Sequence, residues 1–328
     1  QGRDGWIRPG AHGLPPRNLP DYSATLVMAM WAYYERTGDL DFIRQRAEGM
    51  RKILEAIDGS REPDGVLHTG DHEGRGPYID NSPNDKNGVS CALNCFFQRA
   101  YEVGGRLLSL IGDSAGAEDA RNKARALAHA IPPAFWDAER GVFVDRRKED
   151  VSDTGPSAPA NVLPLLFDIA QDEQAEGALE YVRGCMKDNF LVDDPSSPKE
   201  QHITTYFSFY AIGVLLKYGY TLEALEYMRT YYGWMMEKGA WTIWEFFSDH
   251  ASLCHAWGAS PTYYLSSHVL GVTQPEPGNL DKLRIAPNPG DLQWAAGTWP
   301  HPAGPVRVEW RMMGDKLLLD YAAPEGVE

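Results

Sequence analysis

The chain is short of positive charge, of cysteine and of long apolar runs, and each shortage excludes something. Its 31 Lys+Arg stand against 46 Asp+Glu, a formal net charge of -15 over 328 residues. A nucleic-acid binder needs a basic face to displace counterions from phosphate, and no Lys/Arg run supplies one. The same acidity argues against an anionic membrane surface. No stretch approaches the roughly 18 consecutive apolar residues of a membrane span, and the first twenty residues lack the apolar run of a signal peptide. The chain therefore reads as soluble, with a neutral or cationic small partner. Its 4 cysteines, Cys91, Cys95, Cys185 and Cys254, include no Cys-x-x-Cys pair. Cys91 and Cys95 lie one helical turn apart in an apolar segment, so buried free thiols are expected, as suits a reducing cytoplasm.

What the chain has in quantity is aromatic residues: 10 Trp, 16 Tyr and 11 Phe in a sequence that is 43% hydrophobic and 23% charged. That balance belongs to a globular protein with a full core. Rings in such number within an acidic chain suggest a carbohydrate cleft, although most will be core.

Residues 1–20 are rich in Gly and Pro without periodicity and read as a loop. Beyond them one device recurs: an apolar helix ends, a turn follows, and a capping residue opens a second helix. Residues 21–37 carry Leu26, Met30, Tyr33 and Tyr34 at helical spacing and end at Gly38, with Asp39 as the next cap. The same happens at Gly112-Asp113, before Asp172, and at Gly219 before Thr221. The four hairpins are too unevenly spaced for a solenoid and point to a closed ring. Long connections over residues 58–88, 137–159 and 188–204 could converge on one mouth of that ring. From about residue 273 prolines punctuate short runs, and residues 306–311 and 316–321 read as strands joined by Gly314-Asp315. Residues 1–272 are thus expected to be helical and 273–328 to form a small antiparallel β unit. Both ends look cut.

The segment from Gly239 to Phe247 sets one carboxylate, Glu245, among large rings. Burial there would disfavour the ionised form and raise the carboxyl pKa, which suits acid or base work. Ten residues on comes Ser252-Leu253-Cys254-His255-Ala256-Trp257-Gly258, then Ser260-Pro261 as the cap and first turn of a last helix. Glu245 and His255 could flank one site, with Trp241, Trp244 and Trp257 as flat faces for a sugar. An aromatic core with one satisfied Glu explains the same residue types equally well. Elsewhere, His68-x-x-x-His72 has metal spacing only on a helix, which Gly65, Gly70 and Gly74 deny. Asp80-x-x-x-Asn84-Asp85 lacks the alternation of a calcium loop and reads as a helix-entry cap. Gly104-Gly105 and Gly10-x-x-Gly13 lead into no phosphate-binding pattern. No metal, nucleotide or redox cofactor is expected.

Gly-Ala-x-Thr-x-Trp-Glu, then Ser-Leu-x-His-x-Trp and Leu-Gly-Val-x-Pro-x-x-Pro-Gly, resembles the α-L-rhamnosidases of glycoside hydrolase family 78. Leu19-Pro20-Asp21-Tyr22-Ser23, Tyr33-Tyr34-x-x-Thr37-Gly38-Asp39, Ala92-Leu93-Asn94, the run from Phe135 to Asp145, and Tyr206-Phe207-x-Phe209-Tyr210 fit the same family in order. The resemblance implies a mainly α chain: an (α/α)6 toroid, incomplete at its N-terminal side, followed by a β-sandwich portion. It implies removal of terminal α-L-rhamnose from a small molecule or oligosaccharide, without cofactor, by an inverting pair of carboxylates. By motif position Glu245 resembles the general base and His255 a residue holding sugar hydroxyls. Asp80, in Tyr78-Ile79-Asp80, resembles an acidic loop position near the sugar, with Asn81 where the family often has Trp. Asp21, Tyr22, Trp241, Trp244 and Trp257 complete the expected sugar-binding set. The family's general acid belongs to an Asp-x-x-x-Arg-x-Glu type motif, which this chain lacks, so the acid is expected upstream. Within the chain, Asp21, Asp80 and Asp85 are the available substitutes. Two other readings stay open: a different α-toroid carbohydrate enzyme (another exo-glycosidase, a lyase or an epimerase), and a sugar-binding protein without catalysis. A lyase would want Arg beside an anionic sugar, and none occurs from Thr230 to His255.

Overall fold

The structure is a computed structural model and describes residues 5–6, 19–68, 77–147, 149–150 and 154–328. Most of the expected loop over residues 1–20, together with Gly10, Gly13, Gly70, His72, Gly74 and Gly76, lies outside these. The described residues fall into two compact units, taken separately below.

The first unit comprises Gln1–Ala32, Asp39–Asp194 and Pro198–Ile203. Its helices are α1 (Pro20–Thr37, whose last turn belongs to the second unit), α2 (Leu40–Asp58), α3 (Cys91–Leu110), α4 (Ser114–Phe135), α5 (Ala158–Leu166) and α6 (Asp172–Lys187). Two of the expected caps form, Asp39 and Asp113, whereas Asp172 and Thr221 are the first residues of their helices and do not cap them. The Asp39 carboxylate accepts from Phe42 N at 2.9 Å and that of Asp113 from Gly116 N at 3.0 Å, each satisfying an orphan N–H of a first turn. Gly38 and Gly112 take φ 64 and 88, left-handed values that glycine adopts without a Cβ clash. The α3 helix is buried on almost every side, whereas α4 buries only Ala117, Ala120, Ala124, Leu127, Ile131 and Phe135, one stripe at three- and four-residue spacing. The Gly104-Gly105 pair is a packing feature of this inner helix: a Cβ on Gly104 would stand 3.0 Å from Leu54 Cδ1, and one on Gly105 3.2 Å from Ala117 O. Strands β1 (Trp136–Asp137) and β2 (Val142–Phe143) form a short hairpin that closes through Gly141. Cys91, Cys95 and Cys185 are buried and free.

The second unit comprises Tyr33–Gly38, Pro195–Ser197 and Thr204–Glu328. The fourth hairpin is here: α7 (Ser208–Lys217), then α8 (Thr221–Tyr227). The second helix does not stop near residue 232. It passes through a π-helical turn, Met228–Tyr232, into α9 (Gly233–Glu237). Ser260 does not cap the last helix, α10 (Ser260–Tyr264), but is its first residue, its hydroxyl paired with Tyr232 OH at 2.9 Å. A π turn, Leu265–Val269, extends that helix. Strands β3 (Val272–Thr273) and β4 (Arg284–Ile285) pair, and β5 (Trp294–Trp299), β6 (Val306–Met313) and β7 (Lys316–Ala322) form an antiparallel sheet in that order. β6 and β7 are the expected strands, joined through Gly314 at φ 66. Val306, Val308 and Trp310 alternate inward on β6, and the Trp310 indole donates to Val269 O at 3.0 Å.

Candidate active site

Helix α9 ends at Gly239, φ 92, where Gly239 N and Ala240 N bond back to Met236 O and Met235 O. The chain then runs out and returns. Glu245 N donates to Ser252 O at 2.8 Å and His255 N to Ile243 O at 2.8 Å. This irregular pairing sets two side chains ten positions apart next to each other: His255 Nδ1 stands 3.9 Å from Glu245 Oε2.

Three hydrogen bonds hold Glu245 at two of its oxygens. Its Oε2 accepts from Ser252 N at 3.2 Å; its backbone carbonyl accepts from Trp257 Nε1 at 2.8 Å and from the buried hydroxyl of Thr205. Among the described residues Oε1 accepts no hydrogen bond. The rings do not enclose the carboxylate as expected from sequence: the side chain is 24% exposed. A fixed and solvent-reachable carboxylate with one open oxygen can accept a proton from a bound water. The imidazole of His255 packs on Trp257, ring centroids 4.3 Å apart, and Tyr206 and Phe246 stand 5.4 and 5.9 Å from the same indole.

The three expected tryptophans part company. Trp257 joins Glu245 and His255. Trp244 is buried, edge-on to Trp234 at 6.3 Å, so it offers no face to a sugar. Trp241 is 99% exposed. Cys254, expected to be buried, is exposed on the same loop.

In the first unit Asp21 and Asp80 are both buried and meet through one short loop. Asp21 sits in the first turn of α1, and its two carboxylate oxygens accept from Tyr78 N (3.1 Å) and Ile79 N (2.8 Å). Burial pushes its carboxyl above the ordinary range, against those two bonds. Each of its oxygens thus holds one backbone N–H of the loop. Tyr22 is half-buried, edge-on to Tyr78 at 6.0 Å. Asn84 and Asp85 cap no helix: Asn84 Nδ2 donates to Asp80 O and Ser82 O, Asp85 Oδ1 accepts from Asn87 N, and α3 starts only at Cys91.

Sequence reasoning missed the residues that fix the long loops. Three fully buried asparagines each bond both the N–H and the C=O of one residue in a connection between helices: Asn94 with Leu67 (2.8 and 3.0 Å), Asn161 with Phe143 (2.8 and 2.9 Å), Asn189 with Ile203 (2.8 and 2.9 Å). A side-chain amide here imitates a strand neighbour. The available signal was Asn at the fourth position of an apolar helix, in Ala92-Leu93-Asn94 and again in Pro159-Ala160-Asn161. Asp145 was missed as well. It is buried, accepts from Ser157 Oγ and Asp85 N, and burial pushes its carboxyl up to about 6.

Comparison with known proteins bears on the family and the fold. The family model for the bacterial α-L-rhamnosidase six-hairpin glycosidase domain matches residues 8–269, and that for the bacterial α-L-rhamnosidase C-terminal domain matches residues 271–328. The structure is similar to a glycoside hydrolase family 78 rhamnosidase of Bacillus sp. GL1, with a TM-score of 0.82 and 26% identity over 95% of this chain and 33% of that one. It is similar in fold to an α-L-rhamnosidase from Dictyoglumus thermophilum (TM-score 0.75, 19% identity, 99% of this chain and 36% of that one). A Streptomyces avermitilis α-L-rhamnosidase solved with L-rhamnose gives a TM-score of 0.75 at 17% identity, over 100% of this chain and 31% of that one. The chain spans about a third of the length of these structures. No curated protein sequence matches it. The chain belongs to the bacterial α-L-rhamnosidase family, glycosidases with a six-hairpin helical toroid followed by a β portion.

Proposed function

We propose that this chain carries the general base of a glycosidase that removes terminal α-L-rhamnosyl groups with inversion. Glu245 takes a proton from water as the water oxygen bonds to the anomeric carbon. The glycosidic bond breaks on the opposite face, its electron pair passing to the leaving oxygen, which a second carboxylic acid protonates. In such a pair the carboxyl groups stand about 6.5–9.5 Å apart to admit the water.

The observation that carries this reading is the state of Glu245: held by Ser252, Trp257 and Thr205, partly open to solvent, with His255 3.9 Å away. His255 and Trp257 would hold a sugar hydroxyl and a ring face. Asp80 keeps the acidic loop position that the resemblance assigns to the sugar. The reading takes the proton donor to be a carboxylic acid outside these 328 residues, supported by the lack of an Asp-x-x-x-Arg-x-Glu motif among them.

The test uses the intact protein, an aryl α-L-rhamnoside and proton NMR of the first sugar released. β-L-Rhamnose appearing before mutarotation supports inversion. α-L-Rhamnose would point to a covalent intermediate and overturn the mechanism. Cleavage of another glycoside with no turnover of the rhamnoside would overturn the substrate.

A further inference from the structure

Between α2 and α3 the chain makes a three-residue turn that two charged side chains grip from opposite sides. The carboxylate of Asp21 binds the N–H groups of Tyr78 and Ile79 at 3.1 and 2.8 Å. The ammonium of Lys86 donates to the carbonyl of Tyr78 at 2.6 Å and to that of Asp80. Lys86 also lies 5.5 Å above the Tyr78 ring, a cation–π contact. Four backbone polar groups of residues 78–80 are thus bound by one anion and one cation.

The conformation so gripped is one the chain resists. Ile79 has φ 51, the left-handed region in which a β-branched residue crowds its own backbone. Its side chain is buried, as is Asp80. Strain of this kind persists only where the surroundings over-determine it. Lys86 is well placed to do so. Asp80, Asp21 and Asp145 all attract its ammonium, Lys199 alone among its named charged neighbours repels it, and burial lowers its pKa.

We propose that Asp21 and Lys86 are positioning residues, a pair of opposed charges that forces the left-handed turn at Ile79 and thereby fixes the direction of Asp80. The role given to Asp80 rests on the rhamnoside reading above; the clamp itself does not. Glycine takes φ near 51 without penalty, so Ile79→Gly lowers the force the clamp must supply. A lysine that merely stabilised the fold would not respond to that exchange.

The experiment compares the intact wild type with Lys86→Met and Lys86→Met/Ile79→Gly by amide hydrogen exchange and by binding of L-rhamnose. Loss of the ammonium should deprotect the amides of residues 78 and 79 at least tenfold, with α3 unchanged, and weaken L-rhamnose about tenfold. Adding Ile79→Gly should recover at least fivefold of both. Should Lys86→Met fail to fold, Asp21→Asn, which exchanges one oxygen for an amide nitrogen, should deprotect the same two amides. Unchanged exchange at residues 78 and 79, or no recovery with glycine, overturns the clamp. Absent rhamnose binding by the wild type, with the exchange results as expected, overturns the sugar reading and leaves the clamp standing.

Discussion

Gly258 closes the loop that carries Glu245, and a single methyl group there tests how tightly the loop is built. A Cβ at this position would stand 2.7 Å from Ile243 Cγ2, 2.9 Å from Trp244 O and 3.0 Å from Thr205 Cβ. The backbone carbonyl cannot swing away. Thr205 is buried with its hydroxyl on Glu245 O, and Gly258 O is itself held by Tyr232 OH at 3.0 Å. Burial pushes the pKa of that phenol up to about 12, so it stays a donor throughout the working range. Overpacking of this kind costs about 1–3 kcal/mol. The strain falls on the segment joining Trp257 to Glu245, where a displacement of about 1 Å can cost roughly 10²-fold in rate. Gly258→Ala should therefore lower the melting temperature by several degrees and reduce kcat/KM on an aryl α-L-rhamnoside by 10- to 100-fold. The control is Gly184→Ala, in α6, where an added Cβ meets nothing within 4 Å. That change should stabilise the protein by roughly 0.5–1 kcal/mol. A Gly258→Ala protein as stable and active as the wild type would refute the packing argument.

Two further expectations concern the first unit. The Asp145 carboxyl rises from 3.8 to about 6, so between those values the native state holds more protons than the unfolded chain and stability falls as pH rises. The shift is worth about 3 kcal/mol at most, with Asp85 raising the carboxyl and Lys86 opposing it. Urea midpoints at pH 4 and 7 should show Asp145→Asn gaining on the wild type by about 1–3 kcal/mol towards pH 7; parallel pH profiles would contradict this. Asn94→Ala would strand the N–H and C=O of Leu67 in the core and should cost about 2–5 kcal/mol in urea unfolding; a loss below 1 kcal/mol would mean that those groups find other partners.

What was legible in the sequence follows from how local its causes are. Gly38-Asp39 and Gly112-Asp113 announce a helix stop and a helix start within two residues, because φ and side-chain caps are decided over a few bonds. β6 and β7 were legible as short runs bounded by prolines and joined through Gly314-Asp315. β5 was not, since Trp294-Ala295-Ala296-Gly297-Thr298-Trp299 has no apolar alternation and pairs through its backbone with β6. The π turns in the second unit leave no local mark either.

Within the site, residue type placed Glu245 among rings, but Trp241 and Trp244 are three positions apart and end fully exposed and buried respectively. Nothing in their types separates them; the turn at Gly239 does. Residue types alone left Glu245 balanced between a catalytic carboxylate and a satisfied core group, and the family resemblance tipped that balance. Asp21 was legible as important, but its hold on the loop was not, because its partners, Tyr78 and Ile79, lie 57 and 58 residues away. Long-range pairing also hid the three buried asparagines.

The central claim is that Glu245 is the base. The most direct measurement is turnover of an aryl α-L-rhamnoside by the intact wild type and by Glu245→Gln, with and without azide, alongside L-rhamnose affinity. An amide keeps the shape and the Ser252 contact but cannot take a proton from water. The account predicts a rate lower by about 10²–10⁴-fold, rhamnose affinity within a few-fold of wild type, and recovery by azide, which needs no deprotonation, as the glycosyl azide of inverted configuration. Turnover by Glu245→Gln at the wild-type rate would contradict it.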